Sequence, residues 1–205
     1  MREPENIRAL LSLHPDYIGF IFYPRSQRFV ASIDQLLLNE IPAEVKKTGV
    51  FVNSSEDDIL DKIKSFSLNA VQLHGAESPE LCRKLKDAGM EVLKAFGVDE
   101  NFDFTILNAY AESVDFFLFD TKTQQHGGSG KTFNWSLLGD YNLSVPYFLS
   151  GGLDENNIRE ALEIEDQRFY AVDLNSRFEI EPALKDIQKL RTTINEIKKT
   201  SAKAD

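Results

Sequence analysis

Short apolar runs rich in β-branched and aromatic residues recur along this chain of 205 residues, and a polar stretch with helical spacing follows nearly every one. The runs predict strands at Tyr17–Phe22, Thr48–Val52, Ala70–Leu73, Glu91–Phe96, Asp115–Phe119, Pro146–Leu149 and Phe169–Leu174. The stretches between them predict helices at Glu56–Phe66, Pro79–Ala88, Asn134–Leu138, Glu155–Leu162 and Ala183–Lys198, with an irregular one at Phe102–Glu112. Asp154 suits the N-cap of the helix after Leu153, and Pro79 suits the first helical position after Ser78. The strand runs are nearly all apolar rather than alternating, as expected when both faces of a parallel sheet are covered. Repeated strand–helix units closed by a last helix predict an α/β fold, either a (β/α)8 barrel or an open doubly wound sheet. No Gly-x-Gly-x-x-Gly follows the first strand, which favours the barrel. Seven parallel strands are read, and a helical pattern at Pro4–Leu13 precedes the first of them. The expectation is one domain over residues 1–205, a barrel lacking its first strand.

Hydrophobic residues make up 42% and charged residues 27%, so a folded core is expected rather than disorder. A formal net charge of -10 with no basic stripe argues against a nucleic-acid partner, and Lys198-Lys199 reads as a solvated helix end. No apolar stretch is long enough to span a bilayer, and Met1-Arg2-Glu3-Pro4-Glu5 is not a secretory signal. The lone Cys82 excludes an internal disulfide and fits a reducing, cytoplasmic setting. His14, His74 and His126 are too widely spread to suggest a metal cluster. The expected partner is a small molecule; the sequence does not fix the oligomeric state and leaves a homo-oligomer open.

The most informative chemistry lies at Asp120, which ends the run Phe116-Phe117-Leu118-Phe119 and opens a glycine-rich loop from Thr121 to Thr132. A carboxyl where a buried strand stops is suited to proton donation at the mouth of a pocket. On spacing alone it suits equally an Asp that caps the next turn. Gly-Ser-Gly-Lys-Thr within the loop suggests a nucleotide-binding P-loop, but that motif needs a glycine where Gln125 stands. The loop is instead expected to be an active-site loop, mobile without ligand.

The chain resembles the phosphoribosylanthranilate isomerase family of tryptophan biosynthesis. The resemblance is carried by Gly19-Phe20-Ile21-Phe22-Tyr23-Pro24-Arg25-Ser26-Gln27-Arg28-Phe29-Val30, Gly49-Val50-Phe51-Val52-Asn53 and Val71-Gln72-Leu73-His74-Gly75. It continues through Asp120-Thr121-Lys122, Gly127-Gly128-Ser129-Gly130-Lys131-Thr132-Phe133-Asn134-Trp135, Leu149-Ser150-Gly151-Gly152-Leu153 and Ala171-Val172-Asp173. Order and spacing together make it specific over nearly the whole chain.

The resemblance implies a (β/α)8 barrel, no cofactor, and an Amadori rearrangement of N-(5'-phosphoribosyl)anthranilate. It implies Asp120 as the general acid that protonates the furanose oxygen, a task suited to a carboxyl whose pKa burial raises. It implies Arg28 as partner of the anthranilate carboxylate, Gln72 and His74 as pocket residues, and Asp173 as a group orienting hydroxyls or loop backbone. Unaided, His74 reads more simply as a strand-end histidine. The phosphate is expected on Gly151 and Gly152, whose amides precede a helix, and on Asn175 and Ser176. The family usually shows Ser-Ser-Gly where this chain has Asn175-Ser176-Arg177; Arg177 reads equally as a phosphate cation or a surface residue. The family's general base is a cysteine in a first-strand Lys-x-Cys-Gly type motif, and Arg2-Glu3-Pro4-Glu5-Asn6-Ile7 resembles the segment just beyond it. The expectation is therefore an N-terminally truncated chain with weak or no activity. The alternative is a non-catalytic phosphate-binding barrel remnant. A related phosphosugar enzyme such as indole-glycerol-phosphate synthase does not match the Asp120 loop and the Arg28 segment.

Overall fold

A computed structural model describes residues 1–122 and 132–201. Seven parallel strands, β1 (Tyr17–Ile21), β2 (Lys46–Phe51), β3 (Ala70–Leu73), β4 (Glu91–Val98), β5 (Phe116–Thr121), β6 (Tyr147–Leu149) and β7 (Phe169–Val172), form one sheet in sequence order. Helices α1 (Pro4–Leu11), α2 (Gln35–Glu40), α3 (Glu56–Phe66), α4 (Pro79–Asp87), α5 (Ile158–Leu162) and α6 (Ile187–Ser201), with 3-10 helices at Phe104–Ala109 and Trp135–Asp140, complete the layer around it. A short antiparallel hairpin, β8 (Glu179–Glu181) with β9 (Leu184–Lys185), stands after β7.

The sheet curls, and side chains alternate between its two faces. Ala70, Leu93, Ala95, Phe116, Leu118 and Phe148 form one cluster on the concave face, with Tyr17 and Ala171 packed against it. Val71, Leu73, Val92, Phe117, Phe119, Tyr147 and Leu149 belong to the larger core shared with the helices. Phe119 is fully buried and packs against both the Tyr141 and Tyr147 rings, each 5.3 Å away, which stiffens β5 next to Asp120. Burying one such ring contributes about 2 kcal/mol.

The helices start where their caps dictate. The Ser55 hydroxyl accepts the amide of Asp58 at 3.1 Å and donates to the Asp58 carboxylate at 2.6 Å, while Ile59 and Phe66 turn inward from α3. Ser78 caps α4 with Pro79 at its first turn, and Cys82 and Leu85 form its buried side.

All seven expected strands are present, with ends shifted by up to two residues: β2 begins at Lys46, β4 runs to Val98, and β5 includes Asp120 and Thr121 rather than stopping at Phe119. Two expectations are corrected, and one helix was not foreseen. The helix placed at Glu155–Leu162 starts only at Ile158, because Asp154 accepts the Asn156 amide in a turn instead of capping the helix. The closing helix starts at Ile187 rather than Ala183, because Leu184 and Lys185 pair with β8. Helix α2, capped by Asp34, was not expected at all. Most of the Thr121–Thr132 loop, and with it the expected mobility, lies outside the described residues.

Strands β1 and β7 do not pair with each other. Among the described residues the outer edge of β1 carries a single bridge, between Ile21 and Phe29. Exposure follows this topology: β1 and β7 show exposed positions at Gly19 and Tyr170, whereas Phe116 through Phe119 of β5 are all buried.

Candidate active site

Period-two alternation places the site. Asp120 follows Phe116 and Leu118 onto the concave face, Gln72 and His74 follow Ala70, Ser150 follows Phe148, and Asp173 follows Ala171. All five stand at the C-terminal ends of their strands, where a parallel barrel gathers reactive groups. They line one cavity of about 650 Å³ together with Arg28, Gly151, Gly152, Asn175 and Ser176. Every residue expected at the site is therefore on one cavity wall. The same cavity continues past the unpaired β1 edge to Pro15, Leu190 and Ile194.

Burial pushes the Asp120 carboxyl up to about 6, with a further push from the Asp173 charge, while the Thr121 amide, donating to Oδ1 at 2.7 Å, acts against both. The His74 imidazole lies with Nε2 3.5 Å from Asp120 Oδ2, and its Nδ1 is 3.2 Å from the Gln72 amide nitrogen. With the amide donating to Nδ1, the imidazole proton sits on Nε2 and faces the carboxyl. The Ser150 hydroxyl donates to Asp173 at 2.9 Å, which holds that second carboxylate at the rim.

Beneath His74, the loop after β3 is tied down by a buried ion pair. Lys94 and Glu77 lie 3.3 Å apart with both side chains 1% exposed. The Lys94 ammonium donates to the carbonyls of Leu73, Gly75 and Ala95, and the Glu77 carboxylate accepts the amides of Asn53 and Gly75. Burial pulls the lysine pKa down and the Glu77 charge opposes it.

Gly151 and Gly152 follow β6 with φ of +86° and +66°. A Cβ on Gly151 would stand 2.4 Å from the Thr121 backbone nitrogen and 2.7 Å from Asp120 Oδ1, so only glycine lets this turn approach the acid. The expected helix N-terminus beside the pair is corrected: α5 begins six residues after Gly152 and has only five residues. Arg177 is exposed and does not line the cavity, which favours its reading as a surface residue. Arg28 does line the cavity, with its guanidinium already held by Glu179.

Cys82 is fully buried on α4 in the core shared with the helices, and burial pushes its thiol up to about 11. It is on the wrong side of the sheet for this cavity. Sequence reasoning missed Ser150, Thr121, Glu179 and Lys185. Ser150 was available from the same alternation that places Phe148; the last two carry no local pattern.

A parallel α/β barrel-type sheet with a protonatable carboxyl and a glycine turn at its C-terminal rim has the layout of a barrel enzyme's active site. The family model described as N-(5'phosphoribosyl)anthranilate (PRA) isomerase matches residues 1–196. The N-(5'-phosphoribosyl)anthranilate isomerase of Phocaeicola vulgatus is 45% identical over 198 residues, spanning 97% of this chain and 95% of that protein. That of Parabacteroides distasonis is 44% identical over 199 residues, 96% of this chain and 90% of that protein. The crystal structure of phosphoribosyl anthranilate isomerase from Thermotoga maritima superposes with a TM-score of 0.84 at 38% identity, covering 97% of this chain and 95% of that one. The chain belongs to the N-(5'-phosphoribosyl)anthranilate isomerase family, enzymes of tryptophan biosynthesis.

Another similar structure, an isomerase in complex with reduced 1-(o-carboxyphenylamino)-1-deoxyribulose 5-phosphate, has a TM-score of 0.82 at 35% identity, covering 97% of this chain and 95% of that one.

Proposed function

We propose that the cavity binds N-(5'-phosphoribosyl)anthranilate and that Asp120 begins its Amadori rearrangement to 1-(2-carboxyphenylamino)-1-deoxyribulose 5-phosphate. The observation that carries this reading is the Asp120 carboxyl, turned onto the concave face and raised to about 6, which keeps an appreciable acid form near neutral pH. Asp120 gives its proton to the furanose oxygen, the ring opens to a Schiff base, and loss of the C2' proton yields an enolamine that tautomerises to the ketone. The amides of Gly151 and Gly152, with Asn175 and Ser176, take the phosphate. Arg28 takes the anthranilate carboxylate, Gln72 and His74 orient the acid, and Asp173 receives a sugar hydroxyl. No cofactor enters any of these steps.

The C2' proton needs a base, and Cys82 is the chain's one cysteine, buried away from the cavity. Strands β1 and β7 end the sheet without pairing to each other, and we read the missing base as belonging to one further parallel strand between them. We therefore read these 205 residues as weakly active or inactive alone. Met1 stands at the β1 edge, its ammonium 3.4 Å from the Gly19 carbonyl. We read the protein as acting in the cytoplasm on a small phosphorylated substrate, with no nucleic-acid or membrane partner and with a homo-oligomer open.

The test is calorimetric binding of the reduced product analogue, followed by turnover. Binding by the chain, with turnover appearing once a cysteine-bearing strand is fused and vanishing again in Asp120→Asn, is the expected result. No binding of the analogue overturns the proposal. Binding with no turnover in the fused protein favours the phosphate-binding remnant instead.

A further inference from the structure

The β8–β9 hairpin stands apart from the seven-stranded sheet, and two of its side chains reach the cavity. Glu179, at its start, has a side chain only 4% exposed and grips one edge of Arg28. Arg28 Nε lies 3.1 and 2.8 Å from the two carboxylate oxygens, and Nη2 lies 2.6 Å from Oε2. Glu179 is itself fixed, since Oε1 accepts the Ala183 amide at 3.1 Å and faces Lys185 Nζ at 3.7 Å. Lys185 in turn donates to the carbonyls of Leu174 and Asn175 and to Asn175 Oδ1. Asn6 of α1 anchors the hairpin by exchanging two hydrogen bonds with the Lys185 backbone, at 2.9 and 2.7 Å.

A guanidinium has two edges that can each meet a carboxylate. Glu179 fills the side edge, Nε with Nη2. The end edge, Nη1 with the second Nη2 proton, is the one left to a ligand, and Nη1 has no hydrogen bond among the described residues. An arginine held on one edge loses its rotamer freedom before the ligand arrives, which lowers the entropic cost of binding. We infer that Glu179 is a positioning residue: by holding the side edge of Arg28 it presents the end edge to an aromatic carboxylate, and so sets selectivity for ligands that carry one. This rests on the reading that Arg28 receives the anthranilate carboxylate.

The opposite role is equally definite in its consequences. If Glu179 were a competitor of the ligand carboxylate, removing its charge would tighten binding. The experiment compares Glu179→Gln and Arg28→Met with the unaltered chain. The probes are reduced 1-(o-carboxyphenylamino)-1-deoxyribulose 5-phosphate, the same compound without its ring carboxyl, and inorganic phosphate. Glu179→Gln is expected to weaken the carboxylate-bearing probe about tenfold while leaving the other two within about twofold. A protein that merely lost packing would weaken all three together. Glu179→Asp, which keeps the charge but falls short of Arg28, carries the same expectation and serves if the glutamine variant does not fold. Equal or tighter binding of the carboxylate probe in both Glu179 variants, with Arg28→Met impaired, overturns the inference alone. If Arg28→Met binds that probe as well as the unaltered chain does, the Arg28 assignment itself fails.

Discussion

Asp120 holds its proton at a cost to the folded state, and that cost is measurable. Its carboxyl moves from an ordinary 3.8 to about 6 on folding, chiefly through burial and then through Asp173. At about 1.4 kcal/mol per tenfold change in proton affinity, the displacement corresponds to about 3 kcal/mol. The sign follows from which state binds more protons. Between these two values the native state keeps the proton and the unfolded chain releases it, so stability is fully present below about pH 4 and falls as pH rises through about 6. Above that it is flat with respect to this group. Asp120→Asn keeps the shape and removes the titration, so at pH 7 the variant is expected to be more stable by up to about 3 kcal/mol, with the two proteins converging near pH 4. Asp173→Asn removes the second cause and should bring the Asp120 pKa part of the way down. Urea unfolding at a series of pH values, with carboxyl-carbon NMR of Asp120, reads both effects. Stability curves of the two proteins that run parallel from pH 4 to 7, or a carboxyl that titrates near 4, would refute the reasoning.

Three further perturbations probe what holds the site. Lys94→Met strands the Glu77 carboxylate in the core and removes the donor shared by Leu73, Gly75 and Ala95; a loss of about 3 to 5 kcal/mol in urea unfolding is expected, and a loss below about 1 kcal/mol would show that the pair contributes little. Gly151→Ala forces a Cβ against the Thr121 amide at a φ of +86°, so melting should fall by the equivalent of roughly 1 to 3 kcal/mol and phosphate affinity should drop with it; an unchanged melting temperature contradicts the close approach. Ser55→Ala removes the α3 cap, which is not among the residues lining the cavity, and should cost about 1 kcal/mol while leaving analogue affinity untouched.

The parts of this molecule that were legible in its sequence are those fixed by local periodicity. Seven parallel strands buried on both faces leave continuous apolar runs that no helix of similar length would need, and once β5 is located, Asp120 must share a face with Leu118. Gln72, His74 and Asp173 follow from their own strands in the same way. Helix α2 was lost because Gln35-Leu36-Leu37-Leu38-Asn39-Glu40 has no clean stripe: Leu37 and Leu38 are buried while Leu36 is 72% exposed. The hairpin was lost because strands of three and two residues are too short to show any period. Its consequence was the larger omission. Arg28 could be assigned to a carboxylate from resemblance, but Glu179 lies 151 residues away, and nothing local to either residue records the other. Alternation along a strand tells which side chains face the cavity, whereas the counter-charge that orients each of them is set by how distant segments close around it. That is why the place of Asp120 was readable from its own strand and that of the carboxylate gripping Arg28 was not.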